Sequence, residues 1–272
     1  MTPTSSPASQ PGFSLVDHPG ARVLARPEAV PWVRYLLESG ETLYEAASRE
    51  RDAFQLPGRV PVWVIPGKVS PQASVPASHR TARWAVRHFQ RGGSILPSIM
   101  GDRFLKLGTY RPFFELRVSE TLRERGIPTP RVVAAAVYGK GMLYRADLVT
   151  HFVPDSENLA ETLFDVRRKG AAAASERLDA LRAAGALVRS LEKGGLQHRD
   201  LNATNVLLQW TGASPSAHVL DLDRSRVLPQ GAEADPKPMI RRLRRSLRKW
   251  EKKAGFRLTG REWDVLEDAA LG

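Results

Sequence analysis

The chain has 272 residues, 42% of them hydrophobic, so it is long enough and apolar enough to bury a globular core. It contains no cysteine, which excludes a disulfide framework and a thiolate metal site and favours a cytoplasmic location. The formal net charge of +12 at pH 7 favours anionic partners, such as nucleotides, phosphorylated lipids, membrane surfaces or nucleic acids.

The first half of the chain predicts mixed α and β structure. The Pro-, Ser- and Thr-rich start of residues 1–20 indicates a disordered leader and lacks the pattern of a signal peptide. An irregular helical period covers residues 32–51. A strand is predicted over 83–89, a helix over 112–125, and two strands joined by a turn over 131–150. No apolar run approaches the roughly 20 residues that cross a bilayer.

The second half predicts a helix that leads into a loop and a β-hairpin. Leucines and alanines recur on one helical face from Ala171 onward, and Gly194 and Gly195 end that helix. Two apolar runs follow, NVLLQW and HVLDLD, with a turn between them. The loop between the helix and the first run has the sequence HRDLNATN, residues 198–205.

This loop has the form of a kinase catalytic loop. In such a loop the aspartate, here Asp200, accepts the proton of the acceptor hydroxyl, and the asparagine, here Asn205, binds a metal. Magnesium favours oxygen ligands and usually takes one or two carboxylates. Asp221, at the end of the second apolar run, is therefore the predicted second ligand, and Asp223 is another candidate. Each residue alone could be an ordinary turn residue, but their order along the chain predicts a kinase-like fold.

A kinase also needs a cation on the nucleotide phosphates and a glutamate that orients it. The strand AVRHF aligns with the motif V-A-I-K, which places Arg87 at the lysine position. Glu115 on the following helix is the predicted partner, with Glu120 and Glu124 as alternatives, and Lys106 is a rival cation. A surface Arg–Glu pair without a catalytic role would fit the same pattern.

Two departures argue against a typical protein kinase. No G-x-G-x-x-G precedes the strand, so residues 69–80, VSPQASVPASHR, would have to cover the phosphates. Only 49 residues follow Asp223, and they contain no A-P-E sequence, so we expect no subdomain that docks a polypeptide. A small-molecule or glycolipid acceptor is therefore expected.

The blocks together resemble the Kdo kinase and lipopolysaccharide core kinase family, bacterial enzymes with a eukaryotic-protein-kinase-like fold. The resemblance covers residues 84–272 and is carried by AVRHFQRGG, GDRFLKLGTYRPFFELRVSETLRERGIPTPRVVAA, GMLYRADLVTHFVP, LQHRDLNATNVLL, VLDLDRSR, IRRLRRSLRKW and LTGREWDVL. It implies a two-lobed α+β fold with a β-rich N-lobe and a reduced, mainly helical C-lobe. The expected division is a leader at 1–20, an extension and the start of the N-lobe at 21–80, the N-lobe at 81–152 and the C-lobe at 153–272.

The resemblance also implies the reaction. ATP with Mg²⁺ would phosphorylate a hydroxyl of 3-deoxy-D-manno-octulosonic acid (Kdo) on the lipid A precursor of lipopolysaccharide. The family's base falls on Asp200, its metal ligands on Asn205 and Asp221, and its R-H-[YF]-x-R-G-G block on residues 87–93. His198 is predicted to brace the catalytic loop and His88 to be a structural strand residue.

The positive charge is concentrated near the C-terminus. Residues 237–253 contain nine Lys or Arg and one acidic residue, a net charge of +8. Ile240, Leu243, Leu247 and Trp250 form an apolar stripe in this segment. The stripe could pack against the C-lobe, or the helix could lie on the anionic inner leaflet of the membrane, where each nearby cation adds about 1 kcal/mol. Arg91 and Arg103 are candidate contacts to a substrate phosphate or carboxylate.

Three alternatives remain open at this point. One is another small-molecule kinase of the aminoglycoside or choline kinase type, although the basic charge disfavours the cationic substrates of such enzymes. A second is a catalytically silent kinase-fold binding protein, which the retention of Asp200, Asn205 and Asp221 disfavours. A nucleic-acid-binding module would explain the charge but not the catalytic loop, so no nucleic-acid partner is predicted.

Overall fold

The computed structural model describes residues 10–56, 61–70, 73–90, 102–106, 108–139, 142–164, 172–212 and 214–272. The chain divides into two compact units. The first consists of Met1–Arg117 with Arg131–Phe152, and the second of Val118–Pro130 with Val153–Gly272.

The first unit is built on one antiparallel sheet. Its strands are β1 (Ser14–His18), β2 (Ala21–Ala25), β3 (Phe54–Leu56), β4 (Val62–Pro66), β5 (Arg83–His88), β6 (Phe104–Leu105), β7 (Val132–Tyr138) and β8 (Leu143–His151). They are arranged in the order β1-β2-β7-β8-β5-β4-β3, and β6 pairs with β8. All seven residues of β7 are buried, as expected for a strand covered on both faces.

Helices cover both faces of this sheet. On one face, α1 (Val30–Glu38) and α2 (Leu43–Arg49) bury leucines against Trp84 and Val86 of β5. On the other face, Phe113 and Leu116 from the start of α4 (Arg111–Glu124) pack with Phe89 and Phe104. A short helix, α3 (Ala77–Arg80), lies between β4 and β5 in the sequence. Trp84 and Val86 of β5 therefore face the first apolar layer, and Phe89, the residue after β5, belongs to the second.

The second unit is mainly helical. Its helices are α5 (Leu159–Phe164), α6 (Ala172–Lys193), α7 (Pro236–Ala254) and α8 (Gly260–Leu271). Its short strands are β9 (Ser156–Asn158), β10 (Leu196–Gln197), β11 (Val206–Gln209), β12 (Ser216–Val219) and β13 (Arg226–Val227). Strand β11 pairs with β12 and β9, and β10 pairs with β13.

Helix α7, the basic segment, has well-defined ends. The side chain of Asp235 accepts a hydrogen bond from the backbone N–H of Lys237 at 2.9 Å, and Pro236 begins the helix. Gly255 ends it in the left-handed conformation, with φ of 67°. Ile240, Leu243 and Leu247 are buried, so the apolar stripe packs inside the second unit. The stripe is not available for insertion into a membrane.

Most of the predicted elements are confirmed, with two differences. The helix predicted over residues 32–51 is two helices, because Gly40 turns the chain with φ of 72° and Thr42 caps α2 with a capping box. The leader predicted over residues 1–20 is wrong for Ser14–His18, which pair with Ala21–Ala25 as a hairpin. Leu15 and Val16 were obscured by the Pro- and Ser-rich composition before them.

The close packing of α6 on α8 generates a stability prediction. A Cβ atom added at Gly185 would lie 2.6 Å from both the Leu266 carbonyl oxygen and the Ala269 Cβ. Gly185→Ala gains about 1 kcal/mol of helix propensity, but overpacking costs about 1–3 kcal/mol. We expect a lower free energy of unfolding in urea titrations. The exposed Ala186 is the matched position, where Ala186→Gly should cost about 1 kcal/mol. Stabilisation by Gly185→Ala would contradict this packing.

Candidate active site

The HRDLNATN segment connects β10 to β11, and buried apolar residues fix it at both ends. Leu201 and Ala203 within the loop are fully buried, as are Leu196 before it and Val206 after it. Asp200 lies between these anchors and remains partly exposed. The sequence alternation of apolar and polar residues therefore places the aspartate at the surface of a fixed loop.

His198 braces this loop, as predicted. Its Nε2 lies 3.0 Å from the backbone oxygen of Leu220, and its Nδ1 accepts a hydrogen bond from the backbone N–H of Asp200 at 3.2 Å. Burial lowers the pKa of His198 and outweighs the nearby carboxylates, which raise it. The imidazole is therefore neutral, with its proton on Nε2. It links the catalytic loop to the segment that carries Asp221.

Asn205 is the next fixed residue of the loop. Its Nδ2 donates to the backbone oxygen of Asp200 at 3.0 Å, and its own backbone oxygen accepts from the N–H of Leu220 at 2.9 Å. A carbonyl oxygen only accepts hydrogen bonds, so the amide nitrogen must face Asp200 and Oδ1 must face elsewhere. The arrangement leaves an oxygen ligand on the far side of the amide.

Asp221 has a left-handed backbone conformation, with φ of 59°. Such a conformation is unfavourable for a residue with a side chain and is concentrated at functional sites. Leu222 is buried and anchors the turn, while Asp221 and Asp223 are partly exposed. Within the described ranges, no group of three or more His, Asp or Glu side chains is placed to hold a metal ion. Only two of the three predicted ligands, Asp221 and Asp223, are of these residue types, since Asn205 contributes an amide.

The carboxylate of Asp200 has a partner that sequence reasoning missed. Arg242 of α7 donates from Nε to Oδ1 of Asp200 at 3.0 Å and also donates from Nη2 to the same oxygen. No sequence pattern distinguishes this residue, because it is one of nine basic residues in a single segment.

In the first unit, Arg87 and Glu115 form the predicted ion pair. Nη2 of Arg87 lies 2.8 Å from Oε1 and 2.7 Å from Oε2 of Glu115, which is buried on α4. The guanidinium also lies over the Phe89 ring, 4.6 Å from its centroid. The rival cation, Lys106, is exposed and lies 4.9 Å from the Tyr110 ring centroid. The ion pair with Glu115 favours Arg87 over Lys106 as the cation for the nucleotide phosphates.

His88, next to Arg87 in strand β5, contacts two carboxylates. Its Nδ1 lies 2.7 Å from Oδ1 of Asp147, and its Nε2 lies 3.0 Å from Oδ2 of Asp102. Asp147 is 0% exposed and also accepts from the backbone N–H of Tyr44 at 3.0 Å. The available signal was an aspartate within the apolar strand LYRADLVTH. Arg103 is exposed, and Arg91 lies outside the described residues.

The sequence profile described as "Lipopolysaccharide kinase (Kdo/WaaP) family" matches residues 72–269, a range that includes both groups of residues described above. The chain belongs to this family. It is therefore an ATP-dependent phosphotransferase, which confirms the enzyme class predicted from the catalytic loop.

Similar proteins include kinases from two bacteria. One named 3-deoxy-D-manno-octulosonic acid kinase, from Haemophilus influenzae, is 30% identical over 189 residues, which cover 68% of this chain and 74% of the relative. Another of the same name, from Actinobacillus succinogenes, is 32% identical over 187 residues, which cover 67% of this chain and 72% of the relative.

A solved structure described as "WaaP in complex with acyl carrier protein" has a similar fold. The match has a TM-score of 0.51 at 14% sequence identity and covers 92% of this chain and 88% of that chain. The kinase-like α+β fold, with a β-rich part and a mainly helical part, is therefore confirmed for this family member. No helix in the part of the chain that the structure describes combines the length and apolarity that a membrane span requires.

The cluster around His88 generates a prediction on pH. Burial lowers the pKa of His88, but the carboxylates of Asp147 and Asp102 outweigh burial and raise it above 6.5. The charged imidazole therefore stabilises the fold below the unfolded-state pKa, and this contribution is lost as pH rises through the higher folded-state value. We expect the free energy of unfolding to fall more between about pH 6 and about pH 9 in the wild type than in His88→Gln. Identical pH dependence of the two proteins would contradict the charged cluster.

Proposed function

We propose that this kinase transfers the γ-phosphate of ATP to a hydroxyl of Kdo on the lipid A precursor of lipopolysaccharide. The proposal is carried by the catalytic loop, in which Asp200, Asn205 and His198 form one hydrogen-bonded unit. The substrate is supported by relatives named 3-deoxy-D-manno-octulosonic acid kinase at 30–32% identity. The strongly basic chain also suits an acceptor that carries carboxylates and phosphates.

In the proposed reaction, the acceptor hydroxyl oxygen attacks the γ-phosphorus of ATP. A new oxygen–phosphorus bond forms while the bond from the γ-phosphorus to the β,γ-bridging oxygen breaks, and ADP leaves with that electron pair. The hydroxyl proton passes to the carboxylate of Asp200 and then to solvent. Asp200 suits this role because the backbone around it is fixed while its carboxylate reaches the surface.

The donor set fits Mg²⁺. The cation prefers hard oxygen ligands and keeps several of its waters, so one amide oxygen and one or two carboxylates are sufficient. Asn205, with its Oδ1 turned away from Asp200, and Asp221 would hold it, with Asp223 as a further ligand. When bound, Mg²⁺ would neutralise charge on the β- and γ-phosphates.

Arg87 is proposed to bind the nucleotide phosphates. A guanidinium stays charged at any physiological pH and matches the oxygens of a phosphate with paired N–H donors. Both contacts to Glu115 use Nη2 of Arg87, so the buried glutamate orients the guanidinium from one corner. Strands β3 and β4 form a hairpin that pairs with β5, the strand of Arg87. In protein kinases the loop that covers the phosphates precedes the corresponding strand, so the chain before β5 is proposed to have this role.

The outer face of α7 is proposed to bind the anionic cytoplasmic face of the inner membrane. A shallow open groove on this helix, the basic groove, is lined by Ile240, Arg241, Arg244, Arg245, Arg248, Lys249 and Lys252. Because the apolar stripe is buried, this association would be electrostatic and would weaken with salt. It would bring the enzyme to an acceptor that is itself anchored in the membrane.

The central prediction concerns phosphate transfer. Purified protein with Mg²⁺ and ATP is expected to add one phosphate to a Kdo-bearing lipid A precursor, measured by mass spectrometry. Asp200→Ala should lower the rate by about 100-fold or more, because the hydroxyl loses its base and its orienting group. The exposed Asp264 on α8 provides the matched control, and Asp264→Ala should leave the rate unchanged. Full turnover by Asp200→Ala would overturn the assignment of the base.

A second prediction concerns the basic groove. The double variant Arg245→Glu/Lys249→Glu should bind vesicles of phosphatidylethanolamine and phosphatidylglycerol at least ~10-fold more weakly, because each cation contributes about 1 kcal/mol. The control Arg182→Glu/Lys193→Glu changes the same charge on exposed positions of α6 and should bind as the wild type does. Equal losses in both variants would indicate attraction by net charge rather than by α7.

A further inference from the structure

We propose that Arg242 is the positioning residue of the base, and that α7 thereby supplies the cation that the segment between Asp200 and Asn205 lacks. The inference rests on the proposed function, since it assigns a role to the partner of Asp200. It concerns a residue 42 positions away from the loop that it serves.

The catalytic loop has no cation of its own on the metal side of the base. Between Asp200 and Asn205 the chain has Leu201, Asn202, Ala203 and Thr204, none of which carries a charge. The side chain of Asn202 is used within the loop, where its Oδ1 accepts from the backbone N–H of Thr204 at 2.9 Å. Arg199, which precedes Asp200, is exposed, and the charge that contacts the Asp200 carboxylate comes from another element, α7.

The contact between Arg242 and Asp200 is directional. Both donors, Nε and Nη2, converge on Oδ1, and no described residue donates to Oδ2. Two donors on one oxygen fix the orientation of the carboxylate, and this leaves Oδ2 for the acceptor hydroxyl. The side chains are 43% and 32% exposed, so the pair adds little to folding stability. The pair acts instead by fixing the orientation of the Asp200 carboxylate.

The position of Arg242 is set by its helix rather than by the loop. Three side chains of α7 meet the catalytic loop: Met239 Sδ accepts from the N–H of His198 at 3.5 Å, Arg242 binds Asp200, and Ser246 Oγ accepts from the N–H of Ala203 at 3.1 Å. Their spacing of three and four residues places them on one face of the helix. The buried residues of α7 fix its rotation, and that rotation fixes the guanidinium.

This arrangement predicts a loss of turnover without a loss of binding. A reacting group displaced by about 1 Å can cost about 100-fold in rate. We therefore expect Arg242→Ala to lower kcat by about 10- to 100-fold, with KM for ATP and for the Kdo acceptor changed by less than about 2-fold. Arg242→Lys retains the positive charge but lacks the paired N–H donors of the guanidinium. Its kcat should therefore lie between those of Arg242→Ala and the wild type.

The matched control is Arg182, which forms the same kind of ion pair with Asp179 on α6. Arg182→Ala should keep the wild-type kcat. Thermal melting of each variant establishes that it is folded, and Arg242→Lys serves as the informative variant if Arg242→Ala does not fold. A wild-type kcat in a folded Arg242 variant, or a rise in KM with kcat unchanged, would overturn the proposal.

A double-mutant cycle separates action through the base from an independent role. If Arg242 acts only by orienting Asp200, then Arg242→Ala should cause no further loss in an Asp200→Asn background. The same loss in both backgrounds would show that Arg242 acts on substrate or product independently. If the wild-type protein adds no phosphate to the Kdo acceptor, the proposed function fails. If Asp200→Ala is inactive while Arg242→Ala is fully active, only this inference fails.

Discussion

The site in the second unit depends on the buried, neutral imidazole of His198. Its two ring nitrogens serve opposite purposes, since Nδ1 accepts from the backbone of Asp200 and Nε2 donates to the backbone oxygen of Leu220. Protonation would replace the Nδ1 acceptor by a donor and break the contact with Asp200. The lowered pKa of His198 therefore keeps the backbone at Asp200 and the turn at Asp221 in a fixed relation. No proton transfer by His198 is needed.

Helix α7 brings three groups of side chains close together. Ile240, Leu243 and Leu247 are buried, Met239, Arg242 and Ser246 contact the catalytic loop, and the basic side chains that line the groove are adjacent to both sets. A charged outer face attracts anions over about 10 Å at moderate ionic strength, which is the scale of one helix diameter. In the proposed function, an anionic acceptor drawn to the groove would therefore reach the helix that carries Arg242, the partner of Asp200.

Strand β5 in the first unit carries two different polar groups on its two faces. Side chains alternate between the faces of a strand, so Arg87 points to α4 and Glu115, while His88 points to the face that α2 covers. The Arg87–Glu115 ion pair and the His88 cluster are therefore neighbours in sequence but lie on opposite faces of the sheet. Asp147 on β8 is fully buried. Its carboxylate contacts His88 and accepts a hydrogen bond from the backbone N–H of Tyr44, because a buried charge needs such partners.

The sequence by itself determined the loop with Asp200 and Asn205, the turn with Asp221, the strand and helix that carry Arg87 and Glu115, and the amphipathic character of α7. These features are local, because periodicity and motif spacing are written within a few consecutive residues. Only the tertiary structure decided that Arg242 binds Asp200, that His88 joins Asp147 across 59 residues, and that Ser14–His18 form a strand. Such contacts depend on which faces of distant elements pack together, and a charge within a run of nine like charges carries no local mark of its partner.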